Sequence, residues 1–181
     1  MAKAAKQTTK PAAKAKPAAK AKPAAKSSAS KGKWDSRKLH TVTPHLVCSS
    51  AAKAISFYKK AFGAEEVMRL EGPDGSMWHA CVTIGDSAVM LVDEFPSMGS
   101  RSPIALKGTP VTIHLNVPDA DAFVKHAAKA GATVTMPVTE MFWGDRYGVI
   151  EDPFGHKWSV STHVKAMTVE EIEVAMAKGS H

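Results

Sequence analysis

Val42-Thr43-Pro44-His45-Leu46-Val47, VTPHLV, is followed from position 111 by Val111-Thr112-Ile113-His114-Leu115-Asn116-Val117, VTIHLNV, an offset of 69 residues. Each copy opens the same series of elements. After the first, Ala51, Ala54, Ile55, Tyr58 and Ala61 fall on one face of a helix, with Ser49 or Ser50 as the expected N-cap and Gly63 as terminator. With a first strand at about 40–47, further strands are expected at 65–70, 77–84 and 87–92, separated by the turn sequences GPDG and GDS. After the second copy, a strand at 110–117 leads to a helix at 119–130 carrying Phe123, Ala127 and Ala130, then Gly131 and strands at 132–138, 145–151 and 157–162. DPFG joins the last two strands. The Gly-Ala pair after each helix, Gly63-Ala64 and Gly131-Ala132, recurs at an offset of 68. Agreement of string, helix, terminator and three strands in order marks an internal duplication.

The expected fold is therefore α+β. Two βαβββ modules, about 40–93 and 109–163, form paired curved mixed sheets around a cup-shaped cavity, and a C-terminal helix follows at 168–178. A four-stranded sheet with one face under its helix has the other face left to bury, and alternate strand residues of that second face line the cavity. One domain, 38–178, accommodates both modules.

Residues 1–37 form a separate, Lys/Ala/Pro-rich segment. Lys10 to Ser27 runs through three copies of a six-residue unit, KPAAKA, KPAAKA and KPAAKS. Recurrent proline and the near absence of large apolar side chains predict disorder. Ten lysines and no acid lie in 1–33, so of 24 Lys+Arg and 17 Asp+Glu in the chain the remainder holds 14 against 17, a formal −3. The overall +7 belongs to the tail, which resembles the Lys-Ala-Pro tails of linker-histone-like proteins in composition. Two readings follow: loose, salt-sensitive contact with nucleic acid or another polyanion through 1–33, or a solvated extension. No apolar run approaches the ~20 residues of a membrane span, and no secretory or transit pattern is seen. With only Cys48 and Cys81, in no zinc-binding spacing, a reducing cytoplasm is the expected location.

The double βαβββ, AISFYKKAFGAE (54–65), MWHACVTIGDSAVMLVDEFP (77–96) and above all GDRYGVIEDPFGHKWSVSTHV (144–164) resemble the vicinal oxygen chelate superfamily. That superfamily holds glyoxalase I, bleomycin-resistance proteins, fosfomycin-resistance enzymes and extradiol dioxygenases, and the likeness is strongest to its PhnB-like branch. The resemblance implies a divalent metal held in the cup by His, Gln and Glu, acting as Lewis acid or oxygen activator. It places the ligand positions at Thr43 and Thr112 on the first strands and at Met90 and Ser159 on the last. None of the four is a usual metal ligand, so no cofactor is expected.

His45 and His114 stand two residues beyond those threonines and share their sheet face. His79, Cys81 and Thr83 face the cup if Ala80, Val82 and Ile84 face the helix; Tyr147, Val149 and Glu151 do so if Gly148 and Ile150 lie beneath theirs. Two readings of the histidines stand together. As displaced ligands, His45, His79, His114 and Glu151 hold zinc, nickel, iron or manganese; as lining residues, they are satisfied by Thr43, Thr112, Ser159 or Tyr147. Trp143 stacks on a planar ligand or plugs a junction. Arg146 pairs with an anionic ligand or with Asp145, Asp152 or Glu151. Cys81 is a nucleophile if His79 or His45 lowers its pKa, otherwise a buried small hydrophobe, and Glu151 is the other catalytic candidate. His156 is read as structural.

Three functions follow. The first is small-molecule binding in the cup of a homodimer, through Thr43, His45, His79, Thr112, His114, Trp143, Arg146, Tyr147 and Ser159, without the usual metal. The second is a metal-dependent lyase, isomerase or dioxygenase using the displaced histidines. The third is nucleic-acid association through the tail.

Overall fold

The computed structural model describes Asp35, Ser36 and residues 39–179. The basic repeat of 1–33 lies outside the described residues, with the expectations attached to it.

Two modules repeat one order. β1 (His45–Cys48), α1 (Ala51–Phe62), β2 (Glu65–Glu71), β3 (Met77–Ile84) and β4 (Ser87–Asp93) make the first; β5 (Thr112–Asn116), α3 (Ala120–Ala130), β6 (Thr133–Glu140), β7 (Asp145–Glu151) and β8 (Lys157–His163) make the second. A short helix α2 (Pro103–Leu106) lies in the connection, and α4 (Val169–Ala177) ends the chain. The sheets run β1-β4-β3-β2 and β5-β8-β7-β6, with β1 parallel to β4 and β5 parallel to β8. These are the paired βαβββ modules the duplication implies.

The helix starts are held by a device the sequence reading placed elsewhere. Ser50 occupies the N-cap of α1 but its side chain caps nothing; Asp93, at the end of β4, accepts the Ala51 N–H at 2.6 Å and that of Met77 at 2.7 Å. In the second module Thr162 Oγ1 accepts the Ala120 N–H at 2.7 Å. Both donor and acceptor recur at the offset of 69, from 51 to 120 and from 93 to 162. The duplication thus extends to how each helix is tied to its own sheet. Asp119 caps α3, accepting from Ala122 N–H, so the helix starts at Ala120 rather than at 119, and Gly63 ends α1 in the left-handed conformation, φ 66°.

The core lies between and beneath the helices. α1 packs on α3, and Tyr58 and Phe62 of α1 meet Trp158 of β8 at centroid distances of 5.5 and 5.0 Å, while Phe62 stacks on Phe123 of α3. Trp158, Tyr58, Ile55, Leu91, Ile150 and Val82 are all but inaccessible. Ala80 and Val82, like Gly148 and Ile150, are buried as the helix-facing set. Gly148 has a packing reason: a Cβ there would lie 2.9 Å from Val138 Cγ2 and 3.1 Å from Met136 O.

Asp152 ties the modules together. Its carboxylate, 3% exposed, accepts from Tyr58 OH at 2.7 Å, Trp158 Nε1 at 3.0 Å and the N–H groups of Phe154 and His156 at 2.9 and 3.0 Å. Burial, then the Asp152 charge, raises the Tyr58 phenol well above its ordinary range, so it stays a donor. His156, in the same turn, is structural: buried, it places Nε2 3.2 Å from Val47 O and 3.8 Å from Cys48 Sγ.

Candidate functional site: the open sheet faces and the inter-module clefts

Strand alternation sends Leu46, Leu91, Val82 and Trp158 toward the helices and their neighbours to the opposite, open faces. His114 sits on the open face of β5, directly opposite Ser159 of β8. Its Nδ1 is 2.8 Å from Ser159 Oγ, and its Nε2 is 3.2 Å from Asn116 Oδ1 and 3.1 Å from Ser161 Oγ. The Ser161 hydroxyl donates to Asn116 Oδ1 at 3.1 Å. One proton assignment satisfies the whole set: Ser159 donates to Nδ1, and Nε2–H donates to Asn116. Ser159 and Ser161 are buried, whereas His114 and Asn116 remain exposed. Tyr147 stacks near the imidazole, centroids 6.2 Å apart at 16°, and Trp143 meets Tyr147 edge-on at 5.7 Å with its Nε1–H on Asp145 Oδ2. The His114–Ser159 bond is one of the pairings that the lining reading expects. Asn116 and Ser161, which sequence reasoning missed, carry a signal there, since each stands two residues along the strand from a named neighbour.

The first sheet presents a different set. His45 opposes Met90, Met90 opposes Cys81, and Cys81 opposes Met68, so four side chains from four strands cross the open face in one row. His79 leans to His45, ring centroids 5.9 Å apart at 78°. Its partial burial, then the neighbouring His45, lowers the His79 pKa. Cys81 is 1% exposed, and burial raises its thiol pKa, so the shift runs opposite to the one a nucleophile needs.

Two expectations need correction. The four displaced-ligand candidates do not converge. His45 and His79 belong to one sheet, His114 and Glu151 to the other, and among the described residues no three His, Cys, Asp or Glu side chains gather to hold a metal ion. Arg146 pairs not with Asp145, Asp152 or Glu151 but with Asp121 of α3, in a two-pronged bond of 2.6 and 2.8 Å. That partner lies on the helix-bearing side, because Arg146 alternates with Tyr147. Thr43 precedes β1, and its hydroxyl donates to His40 O at 2.9 Å.

β1 and β5 each pair on one side only; the larger of two clefts lies against β5 and the β3–β4 turn, and the smaller lies against both β1 and β5. The larger, about 960 Å³, is walled by Phe62, Phe123, Trp158, Ile113 and Leu115, with His114, Asn116 and His126 at its polar edge. The His126 Nε2 is also 2.8 Å from Lys60 O. The smaller, about 490 Å³, is bordered by His45, Thr112, Arg101, Pro103 and His156. His79, Trp143, Tyr147 and Ser159 line neither cleft. Of the expected ligand-binding residues, His114 thus lines the larger, His45 and Thr112 the smaller.

Residues 38–160 match the model of the glyoxalase/bleomycin resistance protein/dioxygenase superfamily. An uncharacterised protein of Mycobacterium bovis is 50% identical over 139 residues, 75% of this chain and 91% of that one. Among solved structures, a superfamily member from Sphaerobacter thermophilus is 25% identical with a TM-score of 0.52, covering 68% of this chain and 98% of its own. An Arabidopsis thaliana gene product is 28% identical with a TM-score of 0.56, covering 68% and 98%. The duplicated βαβββ order, the register of both sheets and the family match over most of the described chain agree, and this protein belongs to the glyoxalase/bleomycin resistance protein/dioxygenase superfamily.

Proposed function

We propose that this chain binds a small molecule in the larger inter-module cleft and does so without the divalent-metal chemistry of the enzymes in its superfamily. The observation that carries the reading is the combination of an apolar wall, Phe123, Ile113 and Leu115, backed by the buried Phe62 and Trp158, with a polar edge at His114 and Asn116 already held by the buried hydroxyls of Ser159 and Ser161. A mostly apolar cleft with a few convergent polar groups is the usual form of a small-molecule site, and preorganised donors and acceptors lower the ordering cost of binding. The ligand this fits has an aromatic or aliphatic body and one group that exchanges hydrogen bonds with an imidazole and a carboxamide. Tyr147 and Trp143 extend the His114 platform. The motifs at 77–96 and 144–164 support placement in the PhnB-like branch.

The four family ligand positions do not fit a hard divalent ion. Thr43 and Ser159 offer hydroxyls already engaged in hydrogen bonds, Thr112 another hydroxyl, and Met90 a thioether, where imidazole and carboxylate are required. Thermal-shift screening with aromatic acids, amides and phenols, before and after EDTA dialysis, tests the reading. A hit that raises Tm equally in both preparations and weakens at least tenfold in His114→Ala supports it. Loss of all hits on EDTA treatment, with return on adding Zn, Ni, Fe or Mn, overturns it in favour of a divalent-metal protein.

A further inference from the structure

The open face of the first sheet carries the chemistry of a soft ion. On β1, β4 and β3 the register puts His45 opposite Met90 and Met90 opposite Cys81, and His79 stands two residues before Cys81 on the same strand. Directly opposed side chains of neighbouring strands have Cβ atoms about 4.5–5.5 Å apart, close enough for two to share one ion. The His45 and His79 rings belong to strands on either side of β4, the strand that carries Met90, yet their centroids lie 5.9 Å apart. With metal–nitrogen bonds of about 2.0–2.1 Å, two imidazoles on one ion have ring centroids roughly 5–6.5 Å apart. The observed separation falls in that range. No carboxylate stands at any of the opposed positions of the row His45, Met90, Cys81, Met68, so hard ions find no oxygen donor there.

We propose that His45, His79 and the thioether sulfur of Met90 form a binding site for a soft monovalent ion, Cu(I), on the open face of the first sheet. Thioether and imidazole together select Cu(I) over magnesium, calcium or manganese, and a three-coordinate set needs no fourth protein ligand. The site shares the Met90 position with the superfamily's divalent site but takes its nitrogens from displaced histidines, suits a different class of metal and lies wholly within one module. It is independent of the ligand proposed for the larger cleft, which the second sheet's His114 borders.

The test is anaerobic titration of the full chain with Cu(I) in competition with bathocuproine disulfonate, followed by X-ray absorption at the copper edge. The expected result is one Cu(I) per chain, with both nitrogen and sulfur scatterers. Met90→Leu and His45→Gln should each weaken binding at least tenfold while Cys48→Ser and His114→Gln leave it unchanged. His45 is exposed, so its substitution keeps the fold, which circular dichroism checks. Affinity that falls only in Cys81→Ser and is untouched by Met90→Leu and His45→Gln marks thiol capture and overturns the assignment. So does failure to compete for Cu(I), or retention of Zn(II) at equal or higher affinity. EDTA-resistant ligand binding in the cleft is measured separately, and either proposal can fail alone.

Discussion

Asp152 concentrates more structural dependence than any residue around the clefts. It is the buried acceptor for Tyr58 of one module and for Trp158, Phe154 and His156 of the other. Removing a donor from a buried carboxylate costs the hydrogen bond and leaves desolvated charge less well paired. Tyr58→Phe is therefore expected to lower unfolding free energy by about 1–3 kcal/mol in urea titration, with no change in the far-ultraviolet spectrum. His156 gives a pH signature. Burial lowers its folded pKa against the partial opposition of Asp152, while the unfolded chain titrates near ~6.5. The unfolded state therefore binds more protons as pH falls below that value, and folded stability declines. His79 shifts in the same direction. Urea midpoints measured between pH 7.5 and 5 should fall with acidification, and His156→Gln should flatten the slope; an unchanged slope removes His156 as its source.

At the scale of elements, what could be read was set by how far apart the interacting residues lie in the chain. β3 and β7 have the limits the alternation and turns indicate, 77–84 and 145–151, because a period of two and a glycine turn are local signals. β1 begins at His45 rather than near 40, since Pro44 supplies no N–H and the preceding residues form a local bend with Thr43 on His40 O. Likewise β5 starts at Thr112, after Pro110. His114 with Ser159 was legible as two residues on one face, whereas Arg146 with Asp121 depends on how α3 crosses the sheet, which no pattern encodes. The helix clamps are a similar case. Nothing near Ala51 points to Asp93, 42 residues on, as its acceptor. Asp93→Ala removes the partner of two backbone N–H groups at once and should cost about 1–3 kcal/mol of stability by urea titration. Asp93→Thr, which borrows the residue used by the second module, should recover part of that loss.

At the scale of the molecule, α4 is folded locally but fully buries no side chain. Thr168 and Glu171 form a reciprocal capping box, yet Val169, Val174 and Met176 are exposed and none of its nine residues is buried. A helix shorter than about 12–15 residues is marginal in water without packing, so a capped helix with bare apolar side chains calls for a surface to cover them. The open sheet faces are the other uncovered part of the fold, and a second copy of the chain supplies both kinds of surface at once. The expected state is a homodimer in which α4 contributes to the interface. Light scattering after size exclusion should return twice the chain mass of 19.2 kDa. Ile172→Glu with Met176→Glu should shift the population toward monomer without altering the modules' own circular dichroism. A monomer mass for the unaltered chain at tens of micromolar would reject this assembly, while a dimer indifferent to both substitutions would move the interface away from α4 and onto the open faces.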